Sequence, residues 1–114
     1  MANVKIFLVP FECRWSKDVP ISIQEKGYLE VEKFDEEECW NLCNWSCWTD
    51  KKPENLHSDI EVAGSNIIFL NPENEKYYMA ASVGWIVKDT LEEIESVARE
   101  NQGKPIYLGE NLDS

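Results

Sequence analysis

Cys39, Cys43 and Cys47 recur every fourth residue in a segment that also carries Trp40, Trp45 and Trp48. Three thiolates with a fourth donor from Cys13 or the lone His57 would have the ligand types of a zinc site. The spacing argues against one. Successive helical turns would spread the sulfurs along about 12 Å of axis, whereas zinc sites use close cysteine pairs at turns. A thiol nucleophile is no better supported, because Asp35-Glu36-Glu37-Glu38 precedes the first cysteine and negative neighbours favour the protonated thiol. No Cys-x-x-Cys pair is present.

Packing explains the sulfurs more simply. On a helix Cys39, Leu42, Cys43, Ser46 and Cys47 fall at i, i+3, i+4, i+7 and i+8, the signature of one buried face. Free cysteine behaves there as a small hydrophobe. The same wheel sets Trp48 among Glu37, Asn41 and Asn44 on the wet side, with Trp40 and Trp45 on the flanks. Indoles dominate binding hot spots, and acid around them suits a partner that is both apolar and basic. The expected protein-binding residues are therefore Trp40, Trp45, Trp48, Glu37, Asn41 and Asn44.

His57 with Asp59 and Glu61 offers an imidazole and carboxylates in one polar stretch, a pattern usual for a solvated loop. There is no Gly-rich phosphate loop, no Ser–His–Asp ordering and no basic–aromatic stripe. No catalytic residue follows from the sequence, and a binding protein is favoured over an enzyme.

Charge narrows the partners. Among 114 residues, 22 Asp and Glu stand against 11 Lys and Arg, a formal charge of −11. Affinity for nucleic acid comes from cations that neutralise phosphates, so direct binding to nucleic acid or to an anionic membrane is disfavoured. Val4 to Val9 is stopped by Pro10, too short for a signal peptide, and no run reaches membrane-spanning length. These features point to the cytoplasm, where thiols stay reduced.

The elements that must position these residues can be read in order. Val4 to Val9 reads as a central strand, and the alternation from Pro10 to Lys17 as its continuation, with Cys13 inward. Residues 19–23 and 28–34 read as a hairpin turned at Gly27. A helix spans about 35–48, ended by Pro53 and preceded by acids that suit its positive end. Residues 49–65 read as a loop with an apolar patch at Ile60 to Ala63 and one short strand. Residues 66–70 and 76–88 form a second hairpin around the turn 71–75, with Gly84 marking a bulge. Thr90-Leu-Glu-Glu93 is a capping box opening a helix over about 90–102. Lys104 to Leu108 reads as a last strand, and a loose tail follows from about 109.

The sum is an α+β fold: one small domain over 1–114, a mainly antiparallel sheet of two hairpins plus edge strands, and both helices on one face. The expected function is that of a small acidic cytoplasmic protein-binding module. It would be an inhibitor or immunity-type protein that blocks a basic, nucleic-acid-handling protein by steric and electrostatic means. The alternative is a small-molecule or metal-binding protein using the Cys39/Cys43/Cys47 cluster or the aromatic hairpin 66–88. No cofactor is expected, with zinc as the only rival.

Overall fold

The computed structural model describes residues 2–48, 51–60, 67–81 and 84–104. In it the first apolar run forms β1 (Ala2–Leu8) at the middle of a six-stranded sheet. The order is β3-β2-β1-β4-β5-β6, with β2 (Gln24–Val31), β3 (Leu56–His57), β4 (Ile67–Asn71), β5 (Lys76–Ala80) and β6 (Trp85–Lys88). Every pairing is antiparallel. Three helices accompany the sheet: α1 (Phe11–Trp15), α2 (Glu36–Leu42) and α3 (Leu91–Glu100). The α+β class expected from the sequence is the one observed.

The central strands are apolar on both faces, so each face must be covered. In β4, Ile67 and Phe69 join Val4, Ile6, Leu29 and the cysteine helix α2 in one core, while Ile68 points into the other. That second core contains Phe7, Met79 and Ile86 from the sheet and Ile94, Val97 and Ala98 from α3. α2 and α3 therefore lie on opposite faces of the sheet, and not on the single face that the sequence leads one to expect. Alternation along β4 dictates this: residues one apart cannot be buried by the same helix.

The expected first hairpin does not form. β2 pairs with β1 instead, and Gly27 (φ +102°) sits inside β2 as a bulge, between the pairs Lys5–Tyr28 and Phe7–Glu25. A Cβ there would collide with the His57 carbonyl oxygen of β3. Val19, Ile21 and Ile23 are partly buried against the second core without being strand.

Residues 11–15 are helix and not a continuation of β1. Pro10, extended at φ −53° and ψ 144°, starts the turn, and Arg14 anchors it. Its guanidinium is wholly buried, donating from Nη1 to the Asn101 carbonyl (2.8 Å) and from Nη2 to the Lys104 carbonyl (2.7 Å). Gln102 Nε2 returns the favour to the Cys13 carbonyl (2.6 Å) and also donates to that of Val19. Long-range bonds of this kind override local alternation.

The β4–β5 hairpin forms as read. Asn71 Oδ1 accepts from the Glu73 N–H (2.9 Å) and Asn74 Oδ1 from the Lys76 N–H (3.0 Å). Its long second arm folds back after Ala80, and Gly84 (φ +84°) belongs to the connection to β6 and not to a bulge. Thr90 caps α3 by accepting from the Glu93 N–H (3.1 Å), as the capping box implied. The expected strand at 104–108 and the tail lie almost wholly outside the described residues, as do residues 61–63 of the apolar patch; Ile60 is buried.

Candidate functional site

The cysteine and tryptophan segment begins as its sequence implied and then departs from it. Asp35 is the N-cap of α2, its Oδ1 accepting from the N–H groups of Glu37 (3.0 Å) and Glu38 (3.1 Å). Cys39 and Cys43 face inward and are fully buried in the first core. The helix then stops at Leu42, six residues short of the expected end.

The stop has a local cause. The last carbonyls of a helix lack intrahelical partners, and here side chains take two of them. Asn44 Nδ2 donates to the Trp40 carbonyl (2.9 Å), and the Trp48 indole Nε1 donates to the Leu42 carbonyl (2.9 Å). The Cys43 N–H is shared between the carbonyls of Cys39 (3.2 Å) and Trp40 (3.1 Å), and a 3-10 turn follows over Trp45–Cys47. Beyond Leu42 the helical wheel no longer applies.

The site residues shift accordingly. Asn44, expected on the wet side, is only 5% exposed. Ser46 and Cys47, expected inside, are exposed, the Cys47 thiol donating to Asn41 Oδ1 (3.7 Å). Glu37 and Asn41 are exposed as expected. Trp40 and Trp48 are half-buried against the first core. The indole of Trp45 lies outside the described side chains.

The sulfurs do not converge. Breaking the helix is the one way a third cysteine could have turned back toward Cys39 and Cys43, but Cys47 turns outward, and Cys13 is buried in the core on the other side of the sheet. His57 is engaged elsewhere: its Nε2 lies 2.5 Å from Glu30 Oε1 and its ring stacks on Tyr28, at 4.6 Å between centroids. Among the described residues no group of three or more His, Cys, Asp or Glu is placed to hold a metal ion. Burial pushes the Cys39 thiol up to about 12, with smaller contributions from the charges of Glu38, Asp35 and Glu36 against a backbone hydrogen bond that lowers it. Burial, then the neighbouring Cys39, raises Cys43 to about 12 as well. Neither is a nucleophile near neutral pH.

The aromatic hairpin does not make one pocket either. Tyr77 meets Phe7 (5.9 Å) in the second core, whereas Tyr78 meets Phe34 (4.8 Å) and Trp85 meets Phe69 (5.9 Å) on the first.

What the segment does build is a groove of about 470 Å³ between α2 and residues 51–54. Leu42 and Trp48 supply its apolar surface, Glu38, Asn41 and Cys47 one wall, and Lys51 to Glu54 the other. The lysines of that far wall are engaged, Lys51 with Glu54 (3.6 Å) and Lys52 with the Ser58 carbonyl (2.7 Å). The carboxylates of α2 are not: among the described residues no lysine or arginine pairs with Asp35, Glu36, Glu37 or Glu38. Sequence reasoning missed Leu42, Cys47 and the 51–54 wall because the groove exists only where the helix fails. A second hollow, of about 480 Å³, lies beside α1 at Glu12, Trp15, Ser16 and Val19 and gathers fewer polar groups. No helix among the described residues is long and apolar enough to cross a membrane. Set against known proteins, the chain matches no family model, no curated protein and no solved structure.

Proposed function

We propose that this protein is a small acidic binding module that docks a basic protein through the α2 face, blocking it by bulk and by charge. The observation that carries the reading is the groove at Trp48 and Leu42, set beside four carboxylates with no described cationic partner. Unneutralised acid raises the rate of encounter with a basic surface, and a partly desolvated indole supplies an anchor after encounter. A partner that handles nucleic acid has the required charge. A cytoplasmic location belongs to the same proposal, since all four cysteines are free thiols, the state a reducing compartment maintains.

The test is a pair of variants with equal charge change on opposite faces. Glu36→Gln/Glu37→Gln/Glu38→Gln alters α2, and Glu92→Gln/Glu93→Gln/Glu100→Gln alters α3. Partner recovered from the native host should be lost with the first set and kept with the second, and its association should slow steeply with salt. Equal loss from both sets would show that net charge alone is at work, and binding indifferent to ionic strength would remove the electrostatic part.

A further inference from the structure

We infer that the groove is a socket for an arginine side chain of the partner, with the guanidinium over the Trp48 indole and its N–H groups donated to Glu38 and Asn41. This rests on the α2 face being the docking surface and goes on to name what enters it. The groove joins three features that a guanidinium needs together: a flat aromatic surface, a carboxylate and a neutral acceptor.

The indole is held from behind. Its Nε1–H is committed to the Leu42 carbonyl at 2.9 Å, so the ring is fixed by a bond inside its own segment and does not need the partner to order it. A fixed aromatic ring costs little side-chain entropy on binding. Glu38, Asn41 and Leu42 are i, i+3 and i+4 on α2, and so share one side of the helix. Side chains so spaced have Cβ atoms about 5–6 Å apart, a span that the fork of a guanidinium covers. Glu38 is exposed with no described ion pair, and Asn41 Oδ1 accepts only the long contact from the Cys47 thiol at 3.7 Å. Both therefore have capacity to accept.

The chemistry favours arginine over other side chains. Guanidinium is planar, stacks on aromatic rings and is weakly hydrated, whereas an ammonium is compact and strongly hydrated. An acidic side chain would meet Glu38 on one wall, and on the other it would have to draw Lys51 from Glu54 and Lys52 from the Ser58 carbonyl. An apolar one would leave Glu38 and Asn41 desolvated without a partner, which costs more than the contact with Trp48 returns. The stem of an arginine lies naturally on Leu42.

The experiment uses N-acetyl-arginine amide as the probe, titrated into isotope-labelled protein while the indole N–H of Trp48 and the side-chain amide of Asn41 are followed by NMR. N-acetyl-citrulline amide, of the same shape without the charge, and N-acetyl-lysine amide are the comparators. The arginine probe should shift both signals saturably, the comparators should not, and Glu38→Gln should weaken the response on the order of tenfold. Because Glu38 is exposed, that variant keeps the fold. Equal shifts from citrulline, no saturable shift at Trp48, or a response unchanged by Glu38→Gln would each overturn the socket. A hexaarginine peptide whose binding needs Glu36 to Glu38 but leaves Trp48 unshifted would also overturn it, while leaving the docking face itself standing.

Discussion

Each face of the sheet carries its own apolar core, and the two finish it in opposite ways. On the α3 face a ten-residue helix is capped, its Glu95 is paired with Arg99, Asp89 just before the cap is paired with Lys76, and the carbonyl of its C-cap Asn101 is held by a buried arginine. On the α2 face a seven-residue helix rests on two cysteines, stops early, and keeps its first turn of carboxylates without described cations. The first face ties the end of its helix to groups elsewhere in the chain, and the second leaves the carboxylates of its first turn without a described cation. Unpaired exposed charge costs a folded protein little in water. If the proposed docking holds, the α2 face carries recognition at small expense to stability.

The largest effect expected of a single substitution is at Arg14. Arg14→Ala should cost about 3 kcal/mol, since it leaves the Asn101 and Lys104 carbonyls unpaired and opens a void. Urea unfolding measures the loss. A change under about 1 kcal/mol would mean that the α3 face is not held at its end.

Alkali should act next, and on the other face. The thiols of Cys39 and Cys43 have folded values near 12 against an ordinary 9.0. Each binds its proton more tightly when folded, so the stabilisation is complete below the unfolded value and drains as pH rises from 9 toward 12. The slope is about 1.4 kcal/mol per pH unit per thiol within that window. Urea midpoints between neutral and alkaline pH should fall, and Cys39→Ala/Cys43→Ala should flatten the fall although it lowers stability at neutral pH. An unchanged slope would place the alkaline loss elsewhere.

The smallest effect sharpens the comparison helix by helix. Asp35→Ala and Thr90→Ala each remove an N-cap, worth about 1 kcal/mol. Followed by hydrogen exchange, Thr90→Ala should loosen α3, and Asp35→Ala should loosen α2 with little change in α3. Identical loosening of both helices by either variant would show that the faces open as one unit.

These contrasts were partly legible in the sequence. The Thr90 cap, the β4–β5 turn with its asparagines, the central position of β1 and the acidic start of α2 rest on local rules, and local rules can be read along a chain. The failures share a cause. Gly27 looked like a turn because a positive φ serves a bulge as well as a hairpin, and only the pairing of β2 with β1 distinguishes them. Residues 11–15 looked like a strand because the partners of Arg14 are about ninety residues away. Within the site, Glu37, Asn41 and the inward Cys39 and Cys43 were legible from the wheel. Asn44 and Cys47 were not, because one amide and one indole end the helix that the wheel assumed.

The placement of Arg14 also has a consequence in time. Its carbonyl partners are 87 and 90 residues further along the chain. At about 5–20 residues per second, synthesis separates them by roughly 5–20 s. Throughout that interval the guanidinium cannot enter its final setting, and the helical turn around it has no anchor. β1 waits in the same way for β4, its neighbour on one side. Folding is thereby completed only after the chain has been made through residue 104, and a ribosome stalled before that point would display to the chaperones a chain whose Arg14 has no partners.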